Sequence, residues 1–565
     1  MSSFNLLDEP WIKVTDLEGN SQKVSIQDLF KNASKLRSLS GDTRTQDFAL
    51  LRVLLAILVT AFTRYTLDGE IREYPDKKWS TERKAFNRKL YHDWIHLWDK
   101  KEFPDVLYQY LDKWHDRFYL FDDQYPFFQV TENEISADKI SKKNPSSFSG
   151  KNMNRLISES GNKIALFSPK YEAKKNKEIL EADEIARWLI TLQGYIGLSD
   201  KVIFGTEKYK SSKGWLFDIG GLYFEGNNLY ETLVLNTILV HPKENYQCNV
   251  QKPAWELSPG ENIDNYFTRW NPNNLAELYT IWSRAIYIDP DTDLSKPFSC
   301  QIVKLPDLDH VDQFLEPMTL WRLNKTGENK DKYTPRKHQA NQALWRSFGL
   351  VTLPDTSIDE NQRQPGIITW LSKFSKIINR HRLTLNAVSM RDDGNATSWV
   401  PTDEICDSLN VYGFTLIDVG EENWVGRINE TVNQTKLVVE FTFKQFVDEI
   451  SEIRGQRSSD FSSQNIQELY YLIDAPFREW LYTIEKDEPK EEKVIDWYDQ
   501  LYDIVNRQVD KIIKQAGPRD YIGISKKNSD KSGKSTDDFR NIATAHNKFA
   551  MFLYKNLKEG RHERK

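Results

Sequence analysis

The chain has little of what marks secreted, metal-binding or membrane proteins. Its 565 residues include only three cysteines, Cys248, Cys300 and Cys406, all far apart in sequence. This spacing excludes a disulfide framework and a CxxC metal site. The opening MSSFNLLDEP lacks a charged-then-apolar export signal, and the most apolar run, residues 48–62, is shorter than the roughly 20 residues of a bilayer span. We therefore expect a cytoplasmic location, no membrane partner, and a buried core helix at 48–62.

Positive charge is not in excess either. The net charge is −6, with 77 basic and 83 acidic residues, so the basic balance that is typical of nucleic-acid-binding proteins is missing. Any contact with a nucleic acid must be local. Two stretches qualify: residues 139–163 carry six Lys/Arg against one acid, and residues 514–565 carry thirteen against six. The alternative for each stretch is an ordinary solvated surface.

Catalytic motifs are missing as well. None of the nine histidines belongs to an HExxH or Cys/His pattern. Residues 532–536 resemble the end of a phosphate-binding loop, but the required first glycine falls on Asn528. No GxSxG motif occurs, and the acidic pair Asp392-Asp393 reads as a capped turn. The sequence therefore predicts no catalytic residue, no metal site and no cofactor, which disfavours an enzyme.

What is present is a large apolar content in a long chain. Hydrophobic residues make up 39% of the sequence, with 17 Trp, 25 Tyr and 29 Phe, which is typical of a folded protein with more than one core. The pattern predicts an α+β protein: a mixed α/β domain over 1–425 and a helical domain over 426–565. From about residue 440, apolar residues recur at steps of three and four on successive segments, which indicates a four-helix bundle.

Several local elements can be predicted within the mixed domain. Short apolar runs around Glu18-Gly19-Asn20 indicate a hairpin, and Gly41-Asp42-Thr43 supplies cap chemistry before the core helix. An amphipathic helix is expected over 181–195. Strands are expected at 216–219 and 221–224, joined through Gly220. Residues 131–163 show no sustained period and read as a long loop without a core pattern.

Six separated segments together resemble the CasA family, the large subunit of the type I-E CRISPR surveillance complex Cascade. They recur in the order of that family and cover the chain nearly end to end. The segments are residues 4–14 (FNLLDEPWIKV), 41–52, 184–189 (EIARWL), 213–233, 316–322 (EPMTLWR) and 474–481 (DAPFREWL).

The resemblance implies a non-catalytic subunit that recognises the protospacer-adjacent motif (PAM) in double-stranded target DNA. Such a subunit helps to initiate strand separation and R-loop formation, and it supports recruitment of an effector helicase–nuclease. The implied partners are the other Cascade subunits, the CRISPR guide RNA, double-stranded target DNA and the effector helicase–nuclease, with no cofactor. The alternative is the large subunit of a related CRISPR subtype, or a scaffold protein without direct DNA contact.

The resemblance also implies DNA- and RNA-facing residues. A wedge hairpin that enters the duplex beside the PAM matches residues 391–397, with Asn395 where one familiar form of the family has glutamine. A loop that docks near the guide-RNA handle and contacts the PAM matches residues 148–163, and a glycine- and lysine-bearing segment matches residues 205–214. The implied DNA-contacting residues are Arg391, Gly394, Asn395, Ala396, Thr397, Lys151, Asn152, Lys210, Lys213, Gly214 and Lys304. The implied docking residues are Phe148, Ser149, Gly150 and Arg155.

Overall fold

The computed structural model describes most of the chain. The described residues are 4–76, 80–153, 178–197, 201–210, 213–268, 271–355, 363–394, 399, 401–419, 423–456, 458–529 and 535–559.

Helices and strands alternate irregularly along the chain. The α-helices are Ile26–Asn32 (α1), Arg44–Arg64 (α2), Ser80–Lys100 (α3), Asp105–Lys113 (α4), Gly150–Met153 (α5), Ala182–Tyr195 (α6), Leu229–Asn236 (α7), Pro259–Thr268 (α8), Leu275–Tyr279 (α9), Phe348–Thr352 (α10), Gly366–Ser372 (α11), Ser375–Ile378 (α12), Phe414–Ile417 (α13), Trp424–Leu437 (α14), Lys444–Arg454 (α15), Ser458–Tyr482 (α16), Lys490–Lys514 (α17), Pro518–Ile522 (α18) and Ile542–Leu557 (α19). The strands are Ile12–Asp16 (β1), Ser21–Val24 (β2), Leu36–Leu39 (β3), Ser146–Ser149 (β4), Gly221–Glu225 (β5), Arg284–Tyr287 (β6), Ser299–Lys304 (β7), Trp321–Leu323 (β8), Tyr333–Pro335 (β9), Arg382–Asp392 (β10), Pro401–Tyr412 (β11), Ile524–Ser529 (β12) and Ser535–Arg540 (β13). Short 3-10 helices cover Ala33–Lys35, His115–Arg117, Glu132–Ile135, Trp215–Asp218, Glu244–Tyr246, Ala254–Glu256 and Leu344–Ser347, and a π-helical turn covers Val438–Phe443.

These elements form two compact units. The first unit contains Met1–Ala340, Pro354–Phe374 and Arg382–Ser408, and the second contains Asn341–Leu353, Ser375–His381 and Leu409–Lys565. Asn341–Leu353 and Ser375–His381 thus belong to the second unit, although segments of the first unit precede and follow each of them in sequence. The single boundary between residues 425 and 426 stays a prediction.

The start of the first unit follows the sequence pattern closely. Strands β1 and β2 pair antiparallel as the predicted hairpin, and their turn contains Gly19 at φ +90°. The Thr43 hydroxyl caps α2 by accepting the backbone N–H of Gln46 at 3.1 Å. In the described part of the chain, α2 alone is long and apolar enough to cross a bilayer, and that apolar stretch is wholly buried. The predicted core helix is confirmed, because a helix that is apolar on all sides has to be covered on all sides.

Two local predictions in this unit are wrong. Residues 215–218 form a 3-10 helix rather than a strand, and the strand begins at Gly221. Part of the predicted loop over 131–163 is ordered: β4 pairs antiparallel with β7, which also pairs with β6. Phe148 and Met153 are buried there, although the segment shows no core pattern. Hydrogen bonds from a strand about 150 residues away supply the order that the local sequence does not encode.

The second unit is built on long helices. The π-helical turn joins α14 to α15, and this long helix packs with α16, α17 and α19 as the predicted four-helix bundle. Trp497 of α17 lies at its centre, with its ring 4.9 Å from that of Phe477 and its indole N–H donating to Thr435 Oγ1 at 2.9 Å. The α+β class with a C-terminal helical bundle is confirmed.

Candidate nucleic-acid interface

The candidate wedge is the hairpin formed by β10 and β11. Strand β10 lies between β5 and β11, in register from Thr384–Glu225 to Val388–Gly221. At the end of β10 the Asp392 carboxylate accepts the backbone N–H of Gly394 at 3.0 Å, and Gly394 has a φ of +71°. This is the turn chemistry that a projecting tip requires.

Lysine, aspartate and aromatic side chains contact one another at the base of this hairpin. Arg391 and Gly394 are exposed, while the predicted tip residues Asn395, Ala396 and Thr397 lie outside the described residues. Six side chains surround the base of the hairpin, and we call them the hairpin-base cluster. The cluster consists of Lys213, Phe217, Asp218, Lys337, Asp392 and Trp399.

Ion pairs connect the members of this cluster. Lys213 Nζ lies 2.5 Å from Asp218 Oδ2, and Lys337 Nζ lies 2.9 Å from Asp392 Oδ2 and 3.8 Å from Asp218 Oδ1. Burial acts to raise the pKa of Asp218, but the neighbouring Lys213, His310 and Lys337 outweigh burial and hold that pKa below its ordinary value. Asp218 therefore stays ionised between the two ammonium groups.

Aromatic rings hold the same two cations. Lys337 Nζ lies 4.2 Å from the ring centre of Phe217, and Lys213 Nζ lies 4.6 Å from that of Trp399. Each distance is within the range of a cation–π contact. Trp399 has a φ of +48°, a conformation that is rare for a bulky side chain and typical of functional or strained positions.

A close approach of two backbones fixes the segment that carries Lys213. Gly214 donates its N–H to the carbonyl of Ile196 at 2.9 Å. A Cβ atom on Gly214 would lie 2.2 Å from the carbonyl oxygen of Gly194, so only glycine fits there. The first part of this segment, residues 205–210, is exposed except for Tyr209, which is partly buried.

The second strand of the hairpin is anchored to α2. Glu404 of β11 accepts the backbone N–H groups of Arg44 and Thr45, at 3.2 and 3.0 Å, and the Thr45 hydroxyl at 3.1 Å. These N–H groups belong to the first turn of α2, where a carboxylate satisfies free donors and the helix dipole. The base of the hairpin is thus fixed on both strands.

The other implied residues gather around β7. Phe148 and Ser149 lie in β4 opposite Cys300 and Ser299, and Gly150 donates its N–H to the carbonyl of Phe298 at 2.7 Å. Lys304 ends β7, where its carbonyl accepts the Tyr209 hydroxyl at 2.6 Å.

Nearby lysines differ in how they are held. Lys210 pairs with Asp307 at 2.7 Å, and this hydrogen bond raises the pKa of Lys210. Lys142 and Lys143 are exposed. Lys151 and Asn152 lie in the short helix α5, and Arg155 lies outside the described residues, as does the side chain of Lys151.

The sequence analysis named some residues of this candidate site and omitted others. The fold brings Lys213 and Gly214 to the base of the hairpin, while Lys304 and Lys210 lie around the end of β7. Lys337 was missed, although it contacts both Asp218 and Asp392. Its only local signal is the basic run Arg336-Lys337-His338 directly after β9. In the residues that the structure describes, no group of three His, Cys, Asp or Glu side chains could hold a metal ion.

Comparisons with known proteins identify the family of the chain. The family model of CRISPR-associated protein Cse1 matches residues 5–508. A CasA/Cse1 protein of Thermus thermophilus is 26% identical over 301 residues, which make up 52% of this chain and 50% of the relative. The chain thus aligns with about half the length of this curated relative.

Solved structures share the fold over nearly the whole chain. The Thermobifida fusca Cse1 crystal structure has a TM-score of 0.74 and 23% identity, covering 98% of both chains. Thermus thermophilus CasA has a TM-score of 0.67 and 18% identity, covering 98% of this chain and 100% of its own. A chain of a CRISPR RNA-guided surveillance complex has a TM-score of 0.58 and 14% identity, covering 90% and 99%.

The matches define the class of the protein first: it is a CRISPR-associated protein. Because the family model covers most of the sequence, the chain belongs to the CRISPR-associated Cse1 family. The resemblance to the CasA family is confirmed.

Proposed function

We propose that this chain is the large subunit of a type I-E CRISPR RNA-guided surveillance complex and that it reads the PAM with the face around the β10–β11 hairpin. One observation carries the proposal. The glycine- and lysine-bearing segment and the predicted wedge, which are far apart in sequence, meet at the hairpin-base cluster through Lys213, Asp218, Lys337 and Asp392. A PAM reader and a strand separator need to act at adjacent positions on the duplex.

The chemistry of this face suits relaxed reading of a short motif. Backbone groups near Gly214 and the ammonium groups of nearby lysines can reach minor-groove acceptors and phosphates, which distinguish base pairs only coarsely. A polar tip at Asn395 would then insert between stacked base pairs, and its new contacts would offset the free-energy cost of unstacking. Guide-RNA pairing supplies the remaining sequence specificity.

The region around β4 is proposed to dock against the guide RNA and its neighbouring subunits. Lys142 and Lys143 are exposed just before β4. Their ammonium groups can attract nucleic-acid phosphates of any sequence close to Phe148, Ser149 and Gly150. Arg155 belongs to the same proposed docking element. We propose that Lys151, Asn152 and, on the neighbouring strand, Lys304 contact the target DNA.

We further propose that the subunit is not an enzyme. Cleavage then depends on an effector helicase–nuclease that the complex recruits. Isolated protein should show no nuclease, helicase or NTPase activity. Magnesium-dependent cleavage of plasmid DNA by the pure chain, abolished by a point substitution within it, would contradict this part of the proposal.

Reconstitution tests the whole proposal. The chain is combined with guide RNA and the remaining subunits encoded beside it in its host, and bound targets are selected from a duplex library with a randomised motif beside the protospacer. We expect a defined set of motifs that is lost when this chain is left out. Binding with no motif preference would favour a scaffold protein, and assembly only with subunits of another subtype would favour the related-subtype alternative.

A matched pair of variants connects the result to the site. Lys213→Gln removes an ammonium group from the hairpin-base cluster, while Lys296→Gln removes one from an exposed i,i+3 ion pair with Asp293. We expect only Lys213→Gln to reduce motif-dependent binding. Equal effects of the two substitutions would show that the hairpin-base cluster has no special part in PAM reading.

A further inference from the structure

Two partly exposed lysines at the hairpin base share one carboxylate partner. Lys213 and Lys337 are 20% and 25% exposed, and both lie within 4 Å of the Asp218 carboxylate. Lys337 has a second partner in Asp392, the last residue of β10. Two ammonium groups and two carboxylates make the cluster electrically neutral, so it offers no net attraction to an anion.

The two carboxylates are held in different ways. Asp218 ends the 3-10 helix Trp215–Asp218, in which Trp215, Leu216 and Phe217 are buried, so this carboxylate is fixed to the core. Asp392 is part of the hairpin, and its ion pair with Lys337 is the contact that connects its Oδ2 atom to the body of the unit. If one carboxylate withdraws on DNA binding, it is the carboxylate of Asp392.

We propose that Lys337 is a phosphodiester-binding residue and that Asp392 is its intramolecular competitor. Without DNA, the Asp392 carboxylate occupies Lys337. When duplex DNA arrives, a backbone phosphate replaces this carboxylate and the base of the hairpin is released from Lys337. The inference rests on the proposed function, since it assigns DNA to the face around the hairpin.

The surroundings of Lys337 suit such an exchange. The ammonium group lies 4.2 Å from the Phe217 ring centre, which holds it at the surface whichever anion it pairs with. A lysine held in place loses less side-chain entropy on binding than a free one does. A phosphate also releases condensed counterions from the duplex when it pairs with an ammonium group, and a carboxylate on the same chain cannot provide this gain.

Salt titration of full-length protein on duplex DNA of random sequence tests the competition. Asp392→Asn removes the competing charge, and the asparagine Oδ1 can still accept the Gly394 N–H, so the turn is retained. We expect Asp392→Asn to bind DNA about 2- to 5-fold more tightly with an unchanged log–log slope of affinity against salt, because the ion pair that the phosphate has to replace is gone while the phosphate contact is the same. Lys337→Gln should make the slope shallower by about 0.9, which corresponds to an about 3.5-fold smaller loss of affinity between 50 and 200 mM salt.

Two further variants isolate the role of Lys337. Asp392→Asn combined with Lys337→Gln should bind DNA no more tightly than Lys337→Gln alone, since Asp392 then has no ammonium group for which to compete. Asp293→Asn serves as the matched control, because it changes the net charge equally and frees Lys296 from an exposed ion pair. It should raise the affinity less than Asp392→Asn does. The proposal is overturned if Asp392→Asn gains no more affinity than this control, if Lys337→Gln keeps the wild-type slope, or if the double variant binds more tightly than Lys337→Gln alone.

Lysine acetylation of the wild-type protein provides a measurement that needs no variant. Saturating duplex DNA should protect Lys337 from acetylation and leave Lys296 reactive, as read by mass spectrometry. Unchanged reactivity of Lys337 would overturn the proposal. These measurements use DNA without a defined motif, whereas the proposed function is tested by motif preference in the assembled complex, so the failure of one is distinguishable from the failure of the other.

Discussion

Arg52 of α2 and Glu316, 264 residues apart in sequence, form a buried bidentate ion pair with two N–O distances of 2.8 Å. Glu316 also accepts the indole N–H of Trp215 at 2.7 Å and the backbone N–H of Met318 at 3.0 Å. Burial acts to raise the pKa of Glu316, but Arg52 and the N–H groups of Trp215 and Met318 together outweigh burial and keep that pKa below its ordinary value. The pair connects the core helix to the 3-10 helix that ends in Asp218.

We expect Arg52→Met to destabilise the first unit by about 3–5 kcal/mol, because it leaves the Glu316 carboxylate buried without its partner. Chemical denaturation followed by tryptophan fluorescence measures the loss. The double variant Arg52→Met with Glu316→Gln should be more stable than Arg52→Met alone, since the buried charge is then gone and the amide oxygen can still accept the Trp215 N–H. A double variant that is no more stable than the single one would contradict this account.

The elements that the sequence predicts well are those whose signal is local. Helix α2 follows from a long apolar run behind a Thr43 cap, and the first hairpin follows from turn residues around Gly19. Strand β4 has no such signal, because Ser-Ser-Phe-Ser becomes a strand only through pairing with β7. The run Trp215–Asp218 is so short that the spacing of its apolar residues cannot distinguish a strand from a helix.

The candidate site shows the same division. The turn after β10 could be located from Gly394 and the acidic pair before it, and strands β10 and β11 lie on either side of this turn. Lys337 could not be located from the sequence, because its ion-pair partners Asp218 and Asp392 lie more than fifty residues away, one before it and one after it. A pattern search on one segment cannot detect a charge network that only the fold assembles.

A buried histidine predicts how stability depends on pH. The Nε2 atom of His241 lies 3.2 Å from the carbonyl of Leu315, and Nδ1 accepts the backbone N–H of Lys243 at 3.0 Å, so the neutral ring is satisfied on both sides. Burial lowers the pKa of His241 to about 4. The unfolded chain takes up this proton near the ordinary pKa of about 6.5. Stability from this group is therefore lost as pH falls from about 6.5 to 4.

His241→Gln should remove this pH dependence, since glutamine can donate to the Leu315 carbonyl without titrating. Relative to the variant, the wild type should lose about 2 kcal/mol of unfolding free energy between pH 8 and pH 5. Urea denaturation at the two pH values measures the difference. If both proteins lose stability equally, the acid sensitivity of the first unit does not come from His241.

The lysines before and after β4 predict a change in salt dependence. Replacing Lys142, Lys143 and Lys151 with Ala should weaken the binding of the complex to all DNA sequences. The log–log salt slope should become shallower by up to about 2.7, since each lost phosphate contact removes about 0.9. Lys142 and Lys143 are exposed, so the variant should still fold.

A second lysine triplet provides the control for this experiment. Lys325, Lys330 and Lys332 are exposed between β8 and β9, and their replacement changes the net charge equally. The control should leave the slope near that of the wild type. If both triplets change the slope by the same amount, residues 142–151 contribute only general charge, which is the solvated-surface alternative.

The last prediction concerns the hairpin tip. Asn395→Ala should slow R-loop formation on sealed linear duplexes, because the tip is proposed to open the first base pair beside the PAM. Opening one stacked step costs about 1.4 kcal/mol, while the later exchange of DNA pairing for guide pairing is nearly balanced, so the first step controls the rate. Targets with a pre-opened bubble beside the PAM should be affected much less. Stopped-flow fluorescence of labelled target strands measures both rates.

Glycine variants separate the action of the tip from backbone strain. Gly394 and Gly19 both have positive φ values, +71° and +90°, and a Cβ atom on either would meet no atom within 4 Å. Gly394→Ala and Gly19→Ala should therefore strain their turns by similar amounts, of order 1 kcal/mol. Only Gly394→Ala, together with a Thr397→Ala variant, should slow opening of the sealed duplex. If these tip variants reduce activity equally on sealed and pre-opened targets, the hairpin contacts the PAM or supports the fold, and it is not a wedge.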